Sequence, residues 1–481
     1  MATGTRAVAV RLPECVQGGG AGGRFRRKGE VTVGLYTKFV SSVLFPLQER
    51  AKAHDTVRVR HQMESSQWWS PERLAAYRLE RLRRFLSDVA GHSPFHARRF
   101  AASGLVPQTL DTIEALQCLP FLTKADIRAH TDELRADDAR DLARFNTGGS
   151  SGEPLIFYIG KERVTHDVAA KWRATRWWDV DIGDREIVVW GSPIELGAQD
   201  RVRLIRDTLM RTELLPAFEM SDAKLDQFVA RIRERRPKML FGYPSAISHI
   251  AKHAQRRGTA LNDLGLKVVF VTSERLYEHQ RELIESAFGC PVANGYGGRD
   301  AGFIAHQCPS GSMHITAEDI IVEIVSPDGR VLPAGESGEI VVTHMATRDF
   351  PFIRYRTGDV GVLDDRPCAC GRGLPVLKEI QGRSTDFVIA QDGTVMHGLS
   401  LIYILRDIPT VAEFKIVQES RELTQVFVRP GAGFGSSEQH RIREGLQARL
   451  GAGVQIDVRV VDAIPAEKSG KFRYVVSKIA A

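Results

Sequence analysis

Phe-Asn-Thr-Gly-Gly-Ser-Ser-Gly-Glu-Pro, residues 145–154, is the stretch on which the reading of this chain turns. Three glycines and three hydroxyl residues between Asn146 and Pro154 suit neither a helix nor a strand. They suit a loop whose backbone N–H groups turn inward, with Thr147, Ser150 and Ser151 adding hydroxyl donors. Such a nest of donors fits an anionic phosphate chain. A Gly/Ser run is equally compatible with a plain surface loop. No Gly-Lys-Ser/Thr closes the stretch, which excludes the lysine-bearing P-loop of common ATPases and GTPases.

Around this loop the chain reads as an ordinary soluble globular protein. It has 481 residues, 43% hydrophobic and 26% charged, enough for two or three domains with a sizeable core. No apolar run reaches the ~18–20 residues of a membrane span. The six cysteines are too sparse for a disulfide framework, so a reducing, cytoplasmic setting is expected. The formal charge of +7 is concentrated at the start. Residues 1–30 hold six basic side chains against Glu14 and Glu30, a net of +4, which leaves +3 for the rest. With no basic face, a nucleic-acid partner is not expected.

Residues 1–30 are Gly/Arg-rich without a periodic apolar pattern or a secretory h-region. They read as a disordered leader, as sequence upstream of the true start, or as a transit peptide. Leu35, Tyr36, Phe39, Val40, Val43, Leu44 and Leu47 then share one helical face. Docking of that face on the protein's own core is the expectation, with peripheral membrane contact as the alternative. Residues 71–100 and 110–130 read as helices, the second capped by Thr123. Beyond the glycine loop, strands at Ile187–Trp190, Met239–Tyr243 and Lys267–Thr272 alternate with helices at Asp222–Arg235, Pro244–Gly258 and Tyr277–Phe288. This rhythm predicts an α/β fold on a parallel sheet, with ligands at the strand carboxyl ends. From about residue 312 a β-meander follows, and the last hundred residues carry a fresh α+β pattern.

Five stretches then stand in a telling order. They are Ser273-Glu274-Arg275-Leu276; Asn294-Gly295-Tyr296-Gly297-Gly298-Arg299-Asp300; Arg354-Tyr355-Arg356-Thr357-Gly358-Asp359; Gly382-Arg383-Ser384-Thr385-Asp386-Phe387; and Lys468-Ser469-Gly470-Lys471-Phe472-Arg473. Together with the glycine loop they resemble the adenylate-forming superfamily of acyl-CoA synthetases, adenylation domains and luciferases. The resemblance is strongest to the phenylacetate–CoA ligase branch, with its relatives from capsular polysaccharide genes. It spans about residues 35–478.

The resemblance implies a large adenylate-forming domain over 31–381 and a mobile α+β lid over 382–481, hinged near Arg383–Asp386. It implies that Thr147, Gly148, Gly149, Ser150, Ser151 and Gly152 hold the β- and γ-phosphates of ATP. Ser273, Glu274, Arg275, Asn294, Gly295, Tyr296 and Gly297 would enclose the adenine, with the Tyr296 ring as a stacking surface. Asp359 would accept the ribose hydroxyls, with Arg383 nearby. Lys471 would reach the α-phosphate and the substrate carboxylate, and Asp300 would hold Mg²⁺. Where the family has Thr-Glu after the Tyr-Gly turn, this chain has Arg299-Asp300, a carboxylate one methylene shorter. Trp190, Phe241, Gly242 and Tyr243 would line an apolar acyl pocket suited to an aryl or hydrophobic acid.

In the same branch Cys308, His314, Cys368 and Cys370 match a structural zinc site, with His306 as the rival fourth ligand and buried free thiols as the alternative. The implied reaction converts a carboxylic acid and ATP to acyl-AMP, then transfers the acyl group to coenzyme A. An amine acceptor, or a non-catalytic scaffold that kept the fold, are the alternatives, and a homodimer stays open.

Overall fold

The computed structural model describes residues 34–146, 155–190, 201–217, 220–383, 387–393, 395–464 and 473–479. A helical layer comes first, and its boundaries follow local chemistry. Ser70 caps the helix Pro71–His92 through its side chain, and Pro71 occupies the first turn, where its missing N–H costs nothing. Residues 71–100 are nonetheless two helices. Ser93 is extended because Pro94 follows it, and a new helix runs Pro94–Ser103. The single helix expected over 110–130 is also broken, into a 3₁₀ segment Ile113–Cys118 and a short helix Lys124–Ala129. Pro120 lies between them, and Thr123 with Asp126 forms a capping box at the second start.

A hairpin of β1 (Ala143–Asn146) and β2 (Ile156–Ile159) brackets the glycine loop, with Asn146 opposite Ile156. Five strands then form a parallel sheet: β3 (Glu186–Trp190), β4 (Thr212–Pro216), β5 (Met239–Gly242), β6 (Val268–Thr272) and β7 (Val292–Gly298). Strands β5 and β6 are apolar except at Thr272 and buried at every position, as parallel strands between helices must be. The antiparallel part comprises β8 (Gly302–Gln307), β9 (Met313–Ile315), β10 (Ile320–Val325), β11 (Ser337–His344), β12 (Phe352–Asp364) and β13 (Val376–Arg383).

The meander expected from residue 312 does not form a sheet of its own. It hydrogen-bonds onto the parallel strands through β7–β8–β9–β13, giving one eleven-stranded sheet ordered β10-β11-β12-β13-β9-β8-β7-β6-β5-β3-β4. The Asn294–Gly298 stretch, expected as a turn, is the end of β7, and the turn itself is Arg299-Asp300. After a two-stranded ribbon of β14 (Phe387–Ile389) and β15 (Val395–His397), a separate four-stranded sheet holds β16 (Val411–Gln418), β17 (Leu423–Pro430), β18 (Gln455–Val460) and β19 (Val475–Ser477), ordered β18-β17-β16-β19. The helices Leu399–Arg406 and Ser436–Leu450 cover it, and its core draws on residues from Val388 to Val475.

Candidate active site

The parallel strands deliver the first residues of the site at their carboxyl ends. Ser273 follows β6 directly and holds a left-handed φ of 71°, a conformation that costs a non-glycine residue ~1 kcal/mol or more and clusters at functional turns. The turn aims Glu274 at the start of the helix Pro244–Arg256, where its Oε2 accepts from the Ser245 N–H at 3.2 Å. A carboxylate there meets the positive end of the helix dipole. Arg275 reaches the other way, and its Nη1 donates to the Gln381 carbonyl at 2.5 Å, near the end of β13. On β7, Gly295 and Gly297 serve close packing. A Cβ on Gly295 would stand 2.8 Å from the Phe270 ring, and one on Gly297 only 2.1 Å from the Gly302 carbonyl oxygen.

Two tyrosine–carboxylate pairs form the polar centre. Tyr296 donates its hydroxyl to Asp359 Oδ2 at 2.9 Å, and burial together with the Asp359 charge keeps its own pKa well above the ordinary phenol value. The group therefore stays a donor. Asp359 sits on β12, opposite Arg383 of β13, after a bend at Gly358 with φ of 80°. That bend is held by Gly358 N–H donating to Glu339 Oε1 at 3.2 Å and Asp359 N–H donating to Thr357 Oγ1 at 3.0 Å. In the second pair, Tyr355 donates to Asp300 Oδ2 at 2.6 Å, while Asp300 Oδ1 accepts from the Ala301 N–H at 3.1 Å. Each Asp300 oxygen carries one such bond and keeps lone-pair capacity, and the side chain is half-buried.

The sequence reading missed two residues here. Tyr355 lay inside a motif already singled out, so the signal was present. Arg163, on the helix Lys161–Arg176, had none. It is buried, and its two terminal nitrogens donate to the Asp300 and Arg299 carbonyls at 3.3 and 3.2 Å. Its Nε pairs with Asp167 at 2.7 Å. The Arg299-Asp300 turn is thus clamped from behind.

The expected acyl-pocket residues do not converge on one face. Phe241 packs with Val268, Phe270 and Ala293, while Tyr243 packs with Ile187, Val189 and the helix Pro244–Arg256. Gly242 lies between them because any Cβ would strike the Val189 carbonyl oxygen at 2.1 Å. Half-buried Trp190 bridges the two, its ring centroid 6.2 Å from Phe241 and 4.4 Å from Tyr243. Its Nε1 is buried and has no hydrogen-bond partner among the described residues.

The cysteine cluster assembles as expected. The ligand atoms of Cys308, His314, Cys368 and Cys370 all lie within 4.8 Å of one another. Cys308 Sγ and Cys368 Sγ are 3.7 Å apart, and Cys370 Sγ lies 3.2 Å from His314 Nε2. A tetrahedral zinc with ~2.3 Å bonds to sulfur and ~2.0 Å to nitrogen places S···S near ~3.8 Å and S···N near ~3.6 Å, so the donor set and its spacing fit that ion. Nδ1 of His314 faces the Leu374 carbonyl at 3.3 Å, a contact that turns Nε2 toward the sulfurs, where a metal would sit. His306 is excluded from the cluster: its ring lies among Phe270 and Phe303, and burial lowers its pKa to about 3.

Thr147, Gly148, Gly149, Ser150, Ser151 and Gly152 lie outside the described residues, as does Lys471. Arg383 is placed by its backbone, at the end of β13. Val475, four residues beyond Lys471, enters β19 beside Ile416 of β16. The C-terminal sheet meets the site at Tyr277, whose ring stands edge-on to Tyr474 at 5.7 Å with the Arg406 guanidinium over both rings.

Two family models match the chain: AMP-binding enzyme over residues 210–347 and the CapK C-terminal domain over residues 388–478. The chain is 22% identical over 404 residues to Protein CapK of Staphylococcus aureus, covering 83% of this chain and 88% of that protein. It is 25% identical over 441 residues to phenylacetate-coenzyme A ligase of Thermus thermophilus, covering 84% and 96%. Among solved structures, 2-hydroxyisobutyryl-CoA ligase in the postadenylation state, in complex with R3-HIB-AMP, matches with a TM-score of 0.69 at 21% identity, covering 86% of this chain and 91% of that one.

Proposed function

We propose that this chain, which belongs to the adenylate-forming superfamily in its phenylacetate–CoA ligase-like branch, activates a carboxylic acid with ATP and passes the acyl group to coenzyme A. The observation that carries the reading is the pair of tyrosine-held carboxylates, Asp300 and Asp359, brought to the carboxyl ends of the parallel strands from separate parts of the sequence. In the first step a carboxylate oxygen attacks the α-phosphorus of ATP, the bond to the β-phosphate breaks, and pyrophosphate leaves. In the second, the thiol sulfur of coenzyme A attacks the acyl carbonyl, the acyl C–O bond of the mixed anhydride breaks, AMP leaves with its electrons, and the thiol proton passes to solvent.

Each step asks something different of the chain. Asp359 takes the ribose hydroxyls, and Tyr296 keeps that carboxylate in place while the remainder of its ring lines the adenine with Ser273 and Arg275. Thr147 to Gly152 cradle the outer phosphates. Asp300 is the residue that would hold Mg²⁺, which neutralises phosphate charge when bound. Its shorter reach is offset by Arg163 and Tyr355, which fix the turn and the carboxylate. Lys471 screens the like-charge approach of carboxylate and phosphate, then withdraws with the lid. Trp190 offers an apolar face and one unused donor, which fits an aryl or hydrophobic acid bearing an acceptor atom. The Cys308, His314, Cys368 and Cys370 cluster would hold a closed structural zinc, tying β8–β9 to the segment before β13.

Acid-dependent exchange of labelled pyrophosphate into ATP, over a panel of aryl and aliphatic acids, tests the first half-reaction. Adding coenzyme A and measuring AMP release tests the second. Exchange without coenzyme A-dependent turnover would move the acceptor to an amine, and absence of exchange with every acid would leave a scaffold.

A further inference from the structure

The helix Leu35–Ala51 docks by only part of the face its sequence suggests: Val40 is buried and Tyr36 and Leu44 are half-buried, while the other four residues of that face are exposed. Val40 is fully buried and packs on Gly183, where an added Cβ would lie 2.5 Å from Val40 Cβ. Thr37 donates to Asp184 at 2.9 Å, Phe45 meets Trp172 edge-on at 5.0 Å, and Glu49 accepts from Thr56 at 2.5 Å. The polar residues Thr37 and Glu49 are therefore inside. Leu35, Phe39, Val43 and Leu47 are outside, with exposures of 88, 51, 43 and 55%.

These four residues are spaced by four, and a pure α-helix would rotate such a series by about 40° per step. The turn Val40–Leu44 is wound as a π-helix, and its wider turn brings the series back into line. A second helix, Arg201–Met210, stands alongside: Tyr36 donates its hydroxyl to the Leu209 carbonyl at 2.9 Å, and the Arg211 guanidinium lies 3.9 Å over the Tyr36 ring. It adds Leu204, Ile205 and Leu209, all exposed. Seven of the ten large apolar side chains exposed among the described residues thus fall on these two helices, which is clustering rather than the scatter of a normal surface.

Charge selects the occupant. The exposed ionic residues of the first helix and its end are Lys38, Arg50 and Lys52, and its one acid, Glu49, is buried. Residues 1–30, directly upstream, add a net +4. A protein–protein interface depletes lysine, whereas an anionic bilayer takes an apolar stripe with a cationic border. No described helix is long and apolar enough to cross a membrane. We infer that this two-helix face lies on the surface of an anionic phospholipid bilayer, the apolar stripe at acyl-chain level and the basic residues at the headgroups. This docking is independent of the reaction proposed above.

Co-sedimentation of the full chain with vesicles tests it. The chain should pellet with phosphatidylcholine–phosphatidylglycerol vesicles, pellet much less with pure phosphatidylcholine, and lose binding several-fold in about 1 M salt, where screening is nearly complete. Phe39→Glu combined with Leu47→Glu should lower binding at least about tenfold, since it places two charges at acyl depth. Both side chains are exposed, so the fold should be unchanged by circular dichroism, and pyrophosphate exchange should keep its wild-type rate. No pelleting with anionic vesicles, or pelleting unchanged in the double variant, would overturn the inference. So would a wild-type dimer that becomes monomeric in the double variant without any vesicle binding, which would assign the face to a second copy of the chain.

Discussion

Tyr355→Phe removes one hydroxyl from the site and nothing else. The Tyr355 ring is fully buried and stands edge-on to Phe352 at 5.1 Å, a contact that phenylalanine keeps. What is lost is the 2.6 Å bond to Asp300 Oδ2. A hydrogen bond to a charged group is worth ~1.5–3 kcal/mol, which corresponds to roughly 10- to 150-fold in an equilibrium or rate constant. Two features favour the lower limit. Asp300 is half-buried, so water can take the place of the hydroxyl, and the Ala301 N–H still holds Oδ1. The expected outcome is a rise of about tenfold in the Mg²⁺ concentration that half-saturates pyrophosphate exchange. The exchange rate at saturating Mg²⁺ should change less. Asp300→Asn, which removes the charge as well, should shift the Mg²⁺ requirement further than Tyr355→Phe. Identical Mg²⁺ titrations for wild type and Tyr355→Phe would refute the positioning role of Tyr355. Absence of exchange in the wild type would instead refute the reaction.

Three further outcomes follow from the same geometry. Asp359→Ala should abolish calorimetric ATP binding while leaving the fold intact, and unchanged affinity would remove the ribose role. Purified protein should carry about one zinc per chain, and Cys368→Ser should lower thermal stability before it lowers turnover, because closed thiolate sites contribute directly to folding; metal analysis without zinc would end this reading. Lys471→Ala should slow adenylate formation by ~10²–10³, the usual cost of one preorganised donor, yet leave the reaction of synthetic acyl-AMP with coenzyme A near its normal rate. Lys468→Ala should be nearly silent in both assays, and an equal fall of both half-reactions in Lys471→Ala would deny the lysine its step-specific role.

Local signals in the sequence located most of the elements. The alternation of apolar strands with amphipathic helices over 187–288 was readable because burial on both faces leaves continuous runs such as Val268–Thr272. Thr123 was readable because a capping residue acts within one turn. The pairing of β9 with β13 was not: Met313 meets Leu377 across 64 residues, and nothing in either strand names its partner. The cysteine cluster was legible from residue type, but the choice of His314 over His306 needed the fold. They are direct partners in the β8–β9 register, yet only the His314 ring joins the sulfurs. The helix Leu35–Ala51 was legible only in part, with Val40 inside as expected and Leu35, Phe39, Val43 and Leu47 outside. Periodicity reveals that a face is apolar, and it does not say whether that face turns inward. Arg163 gave no signal because a buried arginine that holds two carbonyls looks, in sequence, like any surface arginine.

The fusion of the parallel and antiparallel strands into one eleven-stranded sheet makes the frame of the candidate site mechanically stiff. Asp300, in the turn after β7, and Asp359, on β12, hang from the same ladder of backbone bonds. They are also cross-tied, since Tyr296 of β7 holds Asp359 and Tyr355 of β12 holds Asp300. If the lid proposed above moves between the two steps, the yielding element is the junction where Tyr277 meets Tyr474 and Arg406. There the two rings meet edge-on at 5.7 Å under one guanidinium, a small contact beside the continuous ladder of the large sheet. A rigid frame on one side and a small joint on the other would let a single site keep its grip on AMP while the chemistry around it is exchanged.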